Sequence, residues 1–248
     1  TARPEVTDAV LHVFRYLTAD WKAADNAYRP LQVAPITLAK DSLALITREA
    51  SQAKSGRPAQ IIAKMNALLD TQTVEALYAA SQAGVEIDLI VRGMCALRPG
   101  IPGLSDRIRV RSIIGRFLEH SRIFWFFNNG ADEVFCGSAD WMSRNLYERC
   151  EVVFPVLDRA AKLRLRTEIL ESYLRDDVKA RLMRPDGCYD RAPTTGTCIS
   201  AQDWLMKTAL NPHKQVDQLR PSKIEGLPMN EAANDQAASI LTKEQSGL

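Results

Sequence analysis

Apolar residues recur along this chain at two periods, and the switches between them mark its elements. From Pro4 to Leu17, Val6, Val10, Val13, Phe14 and Leu17 form one stripe at helical spacing. Such a helix must pack on something. Thr18 to Pro30, broken by Asp20, Asp25 and Asn26, reads as a linker. A regular alternation then begins. Leu31 to Ala34 is a short strand stopped by Pro35, and Ala39 to Lys54 is a helix turning Leu43, Ile46 and Ala50 inward, with Gly56 and Pro58 just past its end. Gln60 to Lys64 is a second strand. Asp70 caps a helix with Val74, Leu77, Tyr78 and the smaller Ser81 on its inner face, and Gly84 ends it. Ile87 to Val91 is a third apolar strand. Strands and helices alternating at this spacing predict parallel strands in an α/β sheet.

After Arg92 the pattern changes. Gly93, Pro99, Gly100, Pro102 and Gly103 build a loop, and strands follow without intervening helices: Ile108 to Ile114, Arg122 to Phe127, Val134 to Cys136 and Cys150 to Val156. Asn128-Asn129-Gly130 is a hairpin signal. The expected fold is therefore α/β with a mixed parallel and antiparallel sheet flanked by helices. Asp158 caps a last long helix carrying Leu163, Ile169, Leu170, Tyr173 and Leu174. Order becomes doubtful from Asp186. A short helix fits Gln202 to Leu210, and Pro221 to Leu248, polar and without an aromatic residue, reads as a disordered tail.

Net charge over the 248 residues is only +2, so basicity matters where it is local. Between Arg92 and Arg122 stand seven arginines against two acids, Asp106 and Glu119. Such a cluster repels itself unless an anion sits in it, and the planar guanidinium fork suits phosphate oxygens. Arg107, Arg109 and Arg111 alternate with Ile108 and Val110, as on a strand with one cationic face. An edge strand charged against aggregation gives the same pattern. Cys95, Cys136 and Cys150 lie in apolar contexts that fit buried, reduced thiols; a bridge between Cys188 and Cys198 stays open. No apolar run approaches the ~20 residues that span a bilayer. The first residues are not a signal peptide, and the missing initial Met makes a fragment or processed product the expectation.

There are three histidines. His12, among Leu11, Val13 and Phe14, reads as structural, and His213 carries no role. His120 stands apart, beside Glu119 and between Arg116 and Arg122, at the start of a strand; its cationic neighbours favour a neutral imidazole able to act as base or nucleophile. Lys64, Asn66 and Arg92 end parallel strands at the edge where ligands bind in α/β sheets, so they and His120 could converge on one site. A solvated strand end is the plainer reading of Lys64. Walker and Gly-x-Gly-x-x-Gly loops are absent, and no carboxylate cluster forms a metal cage. Gly137 to Asn145 offers small residues and the polar groups of Ser138, Asp140, Arg144 and Asn145; a polar turn would look the same.

Several long motifs, in order, carry a resemblance: Ile61-Ile-Ala-Lys-Met-Asn-Ala-Leu-Leu-Asp70, Ala79-Ala-Ser-Gln-Ala-Gly-Val85, Leu89-Ile-Val-Arg-Gly-Met-Cys95, Leu97-Arg-Pro-Gly100, Ile108 through Arg122, and Gly137-Ser-Ala-Asp-Trp-Met142. Over about residues 1–183 the chain closely resembles the C-terminal part of the large bacterial polyphosphate kinases. That resemblance implies a phospholipase D-like domain over 31–190, preceded in 1–30 by the terminal helix and linker of a truncated domain of the same kind, and followed by a weakly ordered extension over 191–248. It implies reversible transfer of the terminal phosphoryl group of ATP, with Mg²⁺, to polyphosphate through a phosphohistidine lying upstream of this chain. His120 matches the family's second histidine and Arg92 an ATP-contacting arginine. Arg109, Arg111, Arg116, Arg122, Lys64 and Asn66 are the further phosphate candidates. A homo-oligomer is expected, with no nucleic acid partner. The expected location is the cytoplasm, with peripheral association at the inner membrane as a variant. The chain alone is expected to turn over poorly. His120-Ser121-Arg122 departs from the phospholipase D pattern, which has Lys where Arg122 stands. Two other classes remain: a phospholipase D-like phosphodiesterase using His120 as nucleophile, and a non-catalytic polyanion-binding module.

Overall fold

The computed structural model describes residues 3–19, 22–194, 196 and 198–210. Helix α1 (Pro4–Ala19) and a 3-10 turn (Asp25–Tyr28) precede strand β1 (Gln32–Ala34). Then come α2 (Leu38–Lys54), β2 (Gln60–Met65), α3 (Thr71–Ala83) and β3 (Glu86–Val91). Strands β4 (Ile108–Ile113), β5 (Ile123–Phe126), β6 (Glu133–Gly137) and β7 (Glu151–Pro155) follow. A long helix runs from α4 (Arg159–Arg164) through a π turn (Leu165–Leu170) into α5 (Glu171–Leu174). Strands β8 (Ala180–Met183) and β9 (Tyr189–Arg191) and helix α6 (Ala201–Leu210) complete the described chain.

The nine strands form one sheet in the order β1-β7-β6-β5-β2-β3-β4-β8-β9. Strands β2, β3 and β4 are parallel, and every other pairing is antiparallel, so the mixed sheet expected from the sequence is what forms. The capping signals act as read. The Asp70 side chain accepts from the Thr73 amide, and Gly84 closes α3 in the left-handed region at φ 107°. Asn128 and Asn129 also take positive φ, turning β5 back along β6. Because side chains alternate along strands, the central strands serve two cores. Ile61, Ala63, Ile87, Leu89 and Val110 pack under α2 and α3. Ile62, Ile90, Ile113 and Trp125 pack under Leu170, Tyr173 and Ala201 on the other side.

Several expectations change. The stripe on α1 is largely exposed: Val10, Phe14 and Leu17 face outward and Val6 is partly buried, while Val13 packs with Ala9 on Ala23, Tyr28, Leu31 and Val33. A helix with apolar residues on more than one side can turn its small one, Ala9, toward its single neighbour and approach it closely. The supposed linker contains the 3-10 turn, which buries Tyr28 completely. Residues of the 1–30 segment therefore share a core with β1. Strands β8 and β9 were not expected; they are short and partly exposed, and lack the apolar alternation that marks a strand. Ala201 and Gln202 of α6 are buried, so the described part of 191–248 packs with the sheet. His213 and the segment Pro221 to Leu248 lie outside the described residues. All five cysteines are free; Cys95 and Cys136 are half-buried, and Cys150, expected inside, is exposed with Cys188 and Cys198. Among the described residues no helix is long and apolar enough to cross a membrane.

Two outcomes follow from this packing. A Cβ on Gly137 would stand 2.4 Å from the Val152 carbonyl oxygen and 2.7 Å from the Val153 Cα, so β6 and β7 touch through a position only glycine fits. Gly137→Ala should lower stability by about 1–3 kcal/mol in denaturant titration. Burial pushes the Cys95 and Cys136 thiols up to about 11 from 9.0. Their folded-state values lie above the unfolded ones, so their contribution is complete below pH 9 and is lost as pH rises from about 9 to 11. A melting series across that window should fall less steeply in the Cys95→Ala/Cys136→Ala protein.

Candidate active site

Strand directions bring the candidate residues to one edge. Asn66 follows the carboxyl end of β2 and Arg92 that of β3, and β4 ends beside them at Ile113. Strand β5 runs the other way, and its first residue, Ile123, is paired with Lys64. The preceding residues, His120 to Arg122, are therefore delivered to the carboxyl edge of the parallel strands. Cys136 of β6 lies opposite Ile123, which places Asp140, a few residues later, at that edge too.

His120 is exposed there, and Arg122 holds it. Arg122 Nη1 lies 3.1 Å from Nδ1 and 3.3 Å from Nε2 of the imidazole, and donates to the His120 carbonyl at 2.9 Å. A guanidinium only donates, so the ring nitrogen that meets it acts as acceptor. The rest of the fork is gripped by Asp140: Arg122 Nε and Nη2 each donate to one of its oxygens at 3.1 Å. Asp140 is buried and also accepts from Asn66, at 2.7 Å from the backbone amide and 3.2 Å from Nδ2. Its own amide donates to Asn145 Oδ1 at 2.9 Å. Asn66, Asp140, Asn145, Arg122 and His120 thus form one connected unit. Asn66 Oδ1 is a buried acceptor without a partner in this unit.

Behind it, Lys64 is 2 % exposed. Its ammonium pairs with Glu119 Oε2 at 3.0 Å, donates to Ser121 Oγ at 2.8 Å and to the Ser121 carbonyl at 3.3 Å, and stands 4.7 Å from the centre of the Tyr173 ring. Burial pulls the Lys64 pKa below its ordinary value, and the Glu119 carboxylate opposes that pull. Burial, reinforced by Glu119, pushes the Tyr173 hydroxyl well up. Gln202 donates to Glu119 Oε1 at 2.6 Å and bonds both the amide and the carbonyl of Phe117, at 2.9 and 2.8 Å. Helix α6 is thereby tied to the loop that carries His120. Arg92 lines a cavity no larger than one water molecule together with Lys64, Glu119 and Tyr173. Its backbone is fixed by Met65 and Ser112, while its Nη1 is buried without a hydrogen-bond partner.

The other arginines are engaged elsewhere. Arg109 forks onto Asp88 at 2.7 and 3.0 Å and reaches Glu86 at 2.8 Å; Arg107 meets Glu86 at 2.5 Å. These acids belong to β3, with Asp88 directly opposite Arg109. The cationic face of β4 is neutralised by its neighbour and needs no bound anion. Arg111 donates to the carbonyls of Tyr173 and Leu174, where the free carbonyls at the end of α5 favour a cation. Arg116 is exposed and lies over the Phe117 ring. The structure thus joins His120, Arg122 and Asn66, places Arg92 and Lys64 around one small cavity beside them, and leaves Arg109 and Arg111 in structural contacts. Glu119, Ser121, Tyr173 and Gln202 carry no sequence signal of this role, because their partners are set by strand pairing and helix packing. The Glu86-x-Asp88 alternation opposite Arg107-x-Arg109 was legible as complementary charge at period two.

Among the described residues no group of three or more His, Cys, Asp or Glu could hold a metal ion. The two acids around the site are already committed, Asp140 to Arg122 and Asn66 and Glu119 to Lys64 and Gln202. These residues do not fit a resident metal.

The family model of the polyphosphate kinase C-terminal domain 2 matches residues 31–202. A polyphosphate kinase of Thermosynechococcus vestitus is 55% identical over 197 residues, covering 79% of this chain and 26% of the relative. One from Xylella fastidiosa (strain Temecula1) is 56% identical over 177 residues, 71% of this chain and 25% of its own length. The crystal structure of polyphosphate kinase from Porphyromonas gingivalis superposes with a TM-score of 0.79 at 38% identity, over 86% of this chain and 33% of that one. The chain spans about a quarter of the length of the curated relatives it matches. With the family model matched from residue 31 to 202, a range that contains all nine strands, the chain belongs to the family of the polyphosphate kinase C-terminal domain 2.

Proposed function

We propose that this chain is the C-terminal catalytic part of a polyphosphate kinase, and that it handles the phosphoryl group passing between Mg·ATP and polyphosphate. The observation that carries the reading is His120 presented at the sheet edge by Arg122, which the buried Asp140 holds. An imidazole so held can exchange a proton with a phosphoryl oxygen or donate a hydrogen bond to it. Arg92 supplies the second element. Arg92 is only partly buried at the carboxyl end of β3, so its guanidinium can answer charge on the transferred group, and the exposed Arg116 can follow the polyanion. Asn66 supports Asp140. In this scheme the phosphorylated nucleophile is another histidine, outside this chain, and His120 assists it. Mg²⁺ enters bound to the nucleotide, as part of the substrate. Free cysteines accord with a reducing cytoplasm, and the exposed apolar residues of α1 accord with a larger homomeric assembly.

The chain incubated with labelled Mg·ATP and short polyphosphate should bind the polyanion, with affinity falling steeply as salt rises, yet form little product. Robust synthesis by the chain that disappears in His120→Ala would overturn the division of roles between the two histidines. In binding titrations Arg92→Ala should lose roughly 10- to 100-fold in affinity, the worth of one charge-assisted contact. Asp88→Asn/Arg109→Gln, which removes the pair together, should bind as the unsubstituted chain does, because the Arg109 donors are spent on Asp88 and Glu86. Equal losses in both variants would mean a diffuse basic surface instead of a built site.

A further inference from the structure

We propose that Lys64 is a positioning residue, whose buried ammonium grips the residues on both sides of His120 and so sets where the imidazole stands. The proposal rests on the reading of His120 as the phosphate-contacting group. An ammonium has three N–H donors. Here three acceptors meet it: Glu119 Oε2 at 3.0 Å, Ser121 Oγ at 2.8 Å and the Ser121 carbonyl at 3.3 Å. With Lys64 only 2 % exposed, no donor remains for a phosphate.

The two anchored residues flank His120. Glu119 is turned inward and buried, and the Ser121 hydroxyl also reaches Lys64. His120, between two residues that both reach Lys64, is itself exposed. Arg122 meets its ring. The anchor point is itself rigid: Lys64 sits on β2, in the middle of the sheet, and Glu119 is braced by Gln202 at 2.6 Å and by Tyr173. Removing the ammonium would leave Glu119 buried without its cation and release both flanks of His120 together.

A purely structural ion pair would show the same contacts, and the test separates the two. In the 248-residue chain, Lys64→Met/Glu119→Gln removes both charges while keeping an acceptor for Gln202. Ser121→Ala removes one grip contact at an exposed residue without touching the buried pair. Two quantities are measured: the melting temperature, and the carbethoxylation of His120 by diethyl pyrocarbonate, followed on its own peptide over a pH series with and without tripolyphosphate. Both variants should melt within a few degrees of the unsubstituted chain. The tripolyphosphate concentration that half-protects His120 should rise at least about tenfold in the double variant, and by a smaller but several-fold factor in Ser121→Ala, which removes one of the three contacts of the ammonium and leaves the other two. Unchanged half-protection in a folded double variant would overturn the proposal. If the double variant fails to fold, unchanged half-protection in Ser121→Ala overturns it. If tripolyphosphate does not protect His120 even in the unsubstituted chain, the phosphate-contact reading falls instead. The grip is then judged from the ligand-free rate and pH profile of His120 modification: a several-fold change in Ser121→Ala supports it, and no change sinks it.

Discussion

A charge on a strand covered on both faces has to be met where it stands, because the helices above it leave no water to solvate it and an unpaired buried ion costs several kcal/mol. Lys64 on β2 and Asp88 on β3 are buried on the face that α4 through α6 cover in part, with Arg111 partly buried and Arg109 half-exposed beside them on β4. Each is answered by a near neighbour: Glu119 for Lys64, the Asp88–Arg109 pair across one strand boundary, and the end of α5 for Arg111. At the far end of α2, Glu49 obeys the same rule less completely. It is fully buried against Arg48 and the Asn128 amide, and burial raises its pKa. These pairings decide which basic residues are free to meet a ligand and which are not.

The site depends on a change of strand direction. Three parallel strands by themselves would bring Asn66, Arg92 and the end of β4 to one edge. Because β5 returns antiparallel beside β2, the residues that enter it arrive at that same edge, and β6 then delivers Asp140. An imidazole, a guanidinium and a carboxylate from two separate stretches of chain meet there without an intervening helix. The loop between β4 and β5 that carries His120 is held at three places: by Gln202 at Phe117, by Lys64 at Glu119 and Ser121, and by Asp140 at Arg122. None of the three anchors lies on the loop itself, so packing among β2, β6 and α6 places the histidine.

Much of this was legible beforehand in the order and period of residues. The alternation of strands and helices through Val91, the Asp70 cap, the turn at Asn128-Asn129-Gly130 and the later run of strands all mark local chemistry, and each appears where its signal stands. His120 could be singled out as the histidine beside a strand and between two arginines, and Arg92 as the cation ending a parallel strand, whereas Lys64, Glu119 and Tyr173 join Arg92 only through strand pairing and helix packing. The misreadings have one source. Arg107, Arg109 and Arg111 looked uncompensated because only acids nearby in sequence were weighed, whereas Glu86 and Asp88 meet Arg107 and Arg109 from the adjacent strand and the carbonyls of Tyr173 and Leu174 meet Arg111. The α1 stripe was judged without knowing which of its sides had a neighbour.

Lys64 shows the division most clearly. Its position at the carboxyl end of an apolar strand was plain from the sequence and pointed to a strand-end cation. Whether that cation faced solvent, a phosphate or a buried carboxylate depended on the register of β5 and on the covering helix, and those brought Glu119, Ser121 and Tyr173 around it. The sequence by itself determined the elements, their order and the residues able to do chemistry, because these follow from covalent structure and short-range preference. The tertiary structure alone decided which charges cancel and which remain available, because Coulomb energy and desolvation depend on distance in space and not on separation along the chain.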